Sequence, residues 1–283
     1  MRTLFAAGVV AVLAAMASAD VYFVEQVVNP GFGKKKLGAR QTRSEIYLQG
    51  KRQKVASAIT APKKTMQALR QQGQPLQSST ILDLEQMQVI EANLDNQTYV
   101  QRPAPAPAEG GTAAAKPIAQ AGAGAPQIQF AVKEMGDSAI VAGIPCRHVV
   151  AQMRAQYLDP RTGAVQRENR YTYDAWLARD FPGYEEIVAF QQLQRASTSY
   201  PPLIAGGMEQ AAAAMEDGQR LASELASLEG FPLRSSIRAS VVRASRKGET
   251  EVFRLDRQIT EFRRAALADT VFAVPGTLVR VAP

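Results

Sequence analysis

Cys146 and His148 are the only cysteine and the only histidine of the chain. They stand two residues apart, a spacing that on a β-strand turns both side chains to one face. A thiol beside an imidazole is the arrangement of a base-activated cysteine nucleophile. The surrounding Ile144-Pro145-Cys146-Arg147-His148-Val149-Val150, however, reads as an ordinary packed strand. A thiol buried there is inert unless its pKa is lowered, so Cys146 is expected in the core. A single cysteine closes no intrachain disulfide, and one Cys with one His cannot complete a Cys2His2 zinc site. Any Ser-His-Asp mechanism would rest on His148 alone.

Other candidate motifs fail on spacing. Gly31-Phe32-Gly33-Lys34-Lys35-Lys36 lacks the Ser or Thr and the following helix that a phosphate loop requires. Glu185 and Glu186 are adjacent, so on a helix they do not face one another. The chain has no G-x-S-x-G elbow, no H-E-x-x-H and no calcium-loop spacing. It is read as non-enzymatic, with no metal and no cofactor.

Charge is more informative. The 283 residues carry 33 Lys and Arg against 26 Asp and Glu, a formal net charge of +7. Most of the excess is local: Lys34, Lys35, Lys36, Arg40, Arg43, Lys51, Arg52, Lys54, Lys63, Lys64 and Arg70 face Glu45 alone between Gln26 and Arg70. Such a patch suits an anionic partner, namely lipid headgroups, a lipoprotein or an acidic envelope protein. The alternative is a solvated face with no partner. Nucleic acid is not expected, because the N-terminus reads as an export signal. Arg2 precedes an apolar run from Leu4 to Ala17, and Ala17-Ser18-Ala19 is an A-x-A cleavage site before Asp20. The run is short of the roughly 20 residues of a membrane span. Residues 1–19 are therefore expected to be a signal peptide and 20–283 a single exported domain, soluble in the bacterial periplasm, with no transmembrane anchor after cleavage.

The elements that must position these residues are mostly strands. Val21 to Val28 is β-branched and aromatic, and Asn29-Pro30-Gly31 ends it. Thr42 to Leu48 and Arg52 to Ser57 flank Gln49-Gly50-Lys51 as a hairpin. Ile81 to Leu84, Gln88 to Asn93 and Thr98 to Val100 follow. From Pro103 to Pro126, 19 of 24 residues are Ala, Pro or Gly. This composition buries too little apolar surface to offset the entropy of ordering, so 103–126 is expected to be a disordered loop insertion, the alternative being a linker between two domains. Gln127 to Met135 alternates, with Ile128, Phe130 and Val132 on one face. Ala139 to Gly143, Cys146 to Tyr157 and Val165 to Leu177 are further strands. Gly183 to Gln194 has helical spacing, and Gly206 to Leu228 reads as a strong amphipathic helix closed by Gly230. Leu233 to Arg243, Glu251 to Gln258, Val271 to Val274 and Leu278 to Val281 complete the pattern. About ten antiparallel strands with a helix across one face allow a sandwich, a barrel or a curved half-barrel.

Two sets of apolar residues are candidates for a ligand-binding face: Tyr171, Tyr173 and Trp176 on the long strand, and Met208, Met215, Leu221 and Leu225 on the helix. The competing reading of both sets is packing.

The order of elements resembles the DUF4412 family of exported bacterial proteins, within the LolA-like/LolB-like superfamily. The resemblance is carried by Glu45-Ile46-Tyr47-Leu48 with Arg52-Gln53-Lys54-Val55, by Ile81-Leu82-Asp83-Leu84-Glu85-Gln86-Met87, and by Ala142-Gly143-Ile144-Pro145-Cys146-Arg147-His148, similar to a G-x-x-C-x-x-Y stretch but without its aromatic. It is carried also by Tyr171 to Ala178, by Gly230-Phe231-Pro232-Leu233, and by Leu267 to Pro275 with its Phe-x-Val-Pro ending. It implies a mainly antiparallel β, α+β fold, a curved LolA-like half-barrel with a helix on its concave face. LolA-like members shuttle lipid-modified proteins, and related folds bind acyl chains. The expected function is a non-enzymatic interaction module of the envelope; the alternative is a carrier holding a lipid or lipoprotein acyl chain in an apolar concave face.

Overall fold

A computed structural model describes residues 20–31, 38–107, 126–202, 215 and 217–282. Twelve strands are present among them: β1 Val21–Asn29, β2 Arg40–Gln49, β3 Arg52–Thr60, β4 Gln77–Asp83, β5 Gln88–Asn93, β6 Thr98–Pro103, β7 Gln127–Val141, β8 Ile144–Leu158, β9 Val165–Ala178, β10 Phe231–Arg243, β11 Arg246–Arg264 and β12 Val279–Arg280. The helices are α1 Lys63–Gln71, α2 Tyr184–Ser197 and α3 Gly218–Leu225, with a 3-10 turn at Asp269–Phe272.

All strands lie in one sheet, in the order β12-β6-β5-β4-β3-β2-β1-β11-β10-β9-β8-β7. It is two up-and-down meanders, β1 to β6 and β7 to β11, joined where β1 pairs antiparallel with β11. Short turns explain the meanders. Gly50, at φ 54°, closes the β2–β3 hairpin expected at Gln49-Gly50-Lys51, and Gly143, at φ 81°, closes β7–β8. A left-handed residue at these turns suits the right-handed twist of paired strands.

The expected curved half-barrel is not what forms. Mainly antiparallel β with few helices holds, but the sheet is neither closed nor strongly curled, and its two ends, β12 and β7, lie at opposite edges. The physical reason is that two stretches of its apolar face are each covered by a helix of their own. Ile187 and Phe190 of α2 pack with Val21, Phe23, Ile46, Leu48 and Leu233. Leu221 and Leu225 of α3 pack with Val149, Met153, Tyr171, Tyr173 and Ile237. Each such side chain contributes about 1.5–3 kcal/mol on burial, and no curling is needed to collect it.

The opposite face is polar over its centre and is crossed by the C-terminal segment over β3. Lys54 Nζ donates to the Val271 carbonyl at 2.8 Å, and Arg52 pairs with Asp269 at 2.5 Å while lying 4.9 Å over the Phe272 ring. That crossing explains a second difference. Val271 to Val274, expected as a strand, is partly the 3-10 turn, because Phe272 is buried under Arg52 instead of entering the sheet. The segment then pairs β12 with β6 in parallel, Val279 opposite Thr98.

Residues 1–19, with the expected signal peptide, lie outside the described residues, as do 108–125 of the expected loop insertion. The beginning of that insertion is described. Pro103 ends β6, the Ala104 amide donates to Met87 at 2.7 Å, and the Pro105 carbonyl accepts from Thr198 Oγ1 at 2.6 Å. Of the helix expected from Gly206 to Leu228, 206–214 and 216 lie outside, and 218–225 is helical. No helix among the described residues is long and apolar enough to cross a membrane.

Candidate binding groove between the helices and the sheet

Strand β9 decides what the candidate residues can do together. Its burial alternates, with Tyr171, Tyr173, Ala175 and Leu177 inward and Thr172, Asp174 and Trp176 on the other side. Tyr171 and Tyr173 therefore share the helix-covered face, and Trp176 does not. The three were grouped in the sequence as aromatic neighbours, and the period of two separates them.

On the covered face Leu221 is fully buried and Leu225 nearly so, against Tyr171 and Tyr173. Met215 is partly buried against the same cluster, and Met208 lies outside the described residues. Asp217, immediately before α3, fixes the helix to the sheet. It accepts from Tyr157 Oη at 2.8 Å, Asn169 Nδ2 at 3.0 Å and Tyr171 Oη at 3.0 Å. Burial, followed by the Asp217 charge, raises the Tyr171 phenol well above its ordinary pKa, so it stays a donor.

Beside this cluster, between α2, α3 and the sheet, is an open groove of about 570 Å³. Its floor is apolar: Tyr173, Leu177, Leu225, Leu228 and Phe231. Its rim is polar, from Arg179, Asp180, Gln191, Arg195 and Glu229, with Arg179 and Glu229 joined as an ion pair. Two glycines shape it. Gly183 begins α2 at φ 96°, where a Cβ would lie 2.9 Å from Val21 Cγ2. Gly230, at φ 109°, turns the chain into β10, where a Cβ would lie 3.1 Å from the Ala178 carbonyl. Gly230 was expected to close the helix; α3 ends at Leu225, five residues earlier, and Gly230 serves the strand.

On the other face, His148 stacks on Trp176 with ring centroids 4.5 Å apart and planes 8° from parallel. Arg234 covers the indole at 4.8 Å. His148 Nδ1 is 2.9 Å from Asp137 and Nε2 3.1 Å from Asp174. The Cys146 thiol instead donates to the Ile144 carbonyl at 3.3 Å, and burial raises its pKa. The imidazole nitrogens are thus engaged by carboxylates, and the thiol has the raised pKa of a structural cysteine. Sequence spacing put the pair on one strand but could not show these partners, since Asp137 and Asp174 come from β7 and β9. Trp176, Asp174, Arg234, Arg238 and Asp256 also border a shallow polar depression of about 350 Å³.

The basic patch is divided by the fold. Lys34, Lys35 and Lys36 lie outside the described residues. Arg40 and Lys51 are exposed, as are Lys63 and Lys64 at the start of α1. Arg43 is paired with Glu45 at 2.6 Å, and Arg52 and Lys54 hold the C-terminal segment. Burial lowers the Lys54 pKa. Among the described residues no cluster of three or more His, Cys, Asp or Glu could hold a metal ion.

No protein-family model matches the chain, and no curated protein matches it.

Proposed function

We propose that this protein is a non-enzymatic interaction module of the bacterial cell envelope, working in the periplasm after export, and that a protein partner docks in the groove between α2, α3 and the sheet. The export-type N-terminus and the DUF4412-like order of motifs support the location. The observation that carries the docking site is the composition of the groove: an apolar floor under a rim of charged and amide side chains. A polypeptide segment offers both apolar side chains and backbone polar groups to such a lining. A bare hydrocarbon chain would take water from rim groups such as Asp180 and Gln191 and offer them no hydrogen bond in return, which costs free energy.

The test is site-specific photo-crosslinking in cells, with the crosslinking residue at Gln191 on the groove and, as control, at Gln152, which is exposed on the opposite face of the sheet. The expected result is a discrete protein adduct from Gln191, absent from Gln152 and lost when Val188, which lines the groove from α2, is changed in a Val188→Glu variant. Equal adducts from both positions, or none, would overturn the reading. The second reading, an acyl-chain carrier, would take its place if native mass spectrometry of detergent-free protein showed solvent-extractable mass of lipid size that Val188→Glu abolished.

A further inference from the structure

Strand β7 is an edge of the sheet, hydrogen-bonded to β8 and to no other strand among the described residues. Such an edge presents a row of unpaired backbone donors and acceptors. Its register with β8 is unbroken from Gln127 to Glu134, and an irregularity between Glu134 and Ser138, with Gly136 at φ 79°, ends that stretch. Within it Ile128, Phe130 and Val132 stand opposite Ala155, Met153 and Ala151 of β8, on the helix-covered face. Yet Ile128 is 37% and Val132 45% exposed, and Phe130 is partly buried against the α3 cluster. Among the described residues the apolar face of the sheet therefore runs out to its edge with Ile128 and Val132 left exposed there.

We propose that this edge is a homodimer interface, in which β7 pairs antiparallel with β7 of a second copy about a two-fold axis at Phe130. The argument is self-complementarity. A two-fold axis perpendicular to a sheet keeps the same face on the same side in both copies, so residues pair about a central position. With Phe130 at the centre, Ile128 meets Val132 of the second copy and Val132 meets its Ile128. On the other face Gln129 meets Ala131, and Gln127 meets Lys133. Every pair joins like polarity or is neutral, and no like charges face one another. The two Lys133 ammonium groups fall six residues apart along the strands, about 20 Å at the rise of a β-strand, beyond the screening length at physiological salt. Glu134 is already paired with Arg147. The apolar strip of one copy thereby becomes continuous with that of the other. This interface is separate from the groove of the preceding subsection, and either could fail without the other.

Sedimentation of the purified mature chain tests the proposal, together with cysteine crosslinking. The native Cys146 is buried and contributes little background. The expected mass is twice that of the chain, and Val132→Lys, at a position already open to solvent, should return it to a monomer with unchanged circular dichroism. A Phe130→Cys variant should form an intermolecular disulfide under mild oxidation. Ala131→Cys should not, because its counterpart lies diagonally across the axis, about 7–8 Å away, too far for the bond. A monomer at all accessible concentrations, or a dimer indifferent to Val132→Lys, would overturn the proposal. Should Phe130→Cys fail to fold, the sedimentation arm decides alone.

Discussion

Arg257 and Glu25 form a buried ion pair at the junction of the two meanders, with Nε 2.9 Å from Oε1 and side-chain exposures of 0% and 9%. The guanidinium also donates through Nη1 to the Pro232 carbonyl at 2.5 Å and lies 5.6 Å from the Phe231 ring centroid. An irregularity in β11 makes the pair. Val24 stands opposite Glu261, but Glu25 stands opposite Ile259, so Thr260 is the extra residue. Beyond it the faces of β11 exchange, and Arg257 points inward where unbroken alternation would have placed Gln258. Removing one partner strands a buried charge, so Glu25→Ala should cost about 3–5 kcal/mol in chemical denaturation. Glu25→Leu combined with Arg257→Met should recover most of the loss. A single variant within about 1 kcal/mol of the parent would show that the pair is solvated.

Asp217 is the anchor of α3. Asp217→Ala would remove the acceptor that Tyr157, Asn169 and Tyr171 share, each bond to the charged carboxylate contributing about 1.5–3 kcal/mol. Hydrogen exchange should accelerate in 218–225 first, with the β1–β3 region little changed. Uniform acceleration across the sheet would mean that the helix is not a separable unit.

Three phenols set an alkaline limit. Burial raises the pKa values of Tyr47, Tyr171 and Tyr200, and each also donates to a carboxylate, Glu45, Asp217 and Glu91 respectively. Ionising them costs more in the folded protein than in the unfolded chain, which loses these protons first. Their contribution to stability is therefore intact below the ordinary phenol range near about 10 and falls as the pH rises through it. Phenolate absorbance of these three should appear together with unfolding. Full ionisation of all eight tyrosines with native circular dichroism retained would contradict this.

Gly183 admits no side chain. Gly183→Ala places a Cβ 2.9 Å from Val21 Cγ2 and 3.2 Å from the Phe262 ring at a left-handed φ, and should lower stability by about 1–3 kcal/mol. A melting temperature equal to the parent's would show that the start of α2 can shift.

How much of this was legible in the sequence can be judged strand by strand. The β2–β3 hairpin around Gly50 and the one-sided placement of Ile128, Phe130 and Val132 followed from turn chemistry and alternation, which are local. The short helix α1 was missed; Pro62 before it was the available signal, favouring extended structure just ahead of a helix start. The inward turn of Arg257 was hidden because one extra residue breaks the period on which the reading depends. Trp176 was grouped with Tyr171 and Tyr173 by proximity along the chain, although an offset of an odd number of residues puts it on the opposite face.

The sequence by itself determined the strand-rich character, most turns and the location of the basic charge, because these depend on residues within a few positions of one another. Only the tertiary structure decided that the strands form one open sheet, that β1 pairs with β11 across the length of the chain, and that Arg52 and Lys54 hold the C-terminal segment. It also decided that His148 sits between Asp137 and Asp174 instead of serving Cys146. Each of these is a contact between residues far apart in sequence, chosen by the global competition to bury apolar surface and to pair buried charge, and no local pattern encodes its outcome.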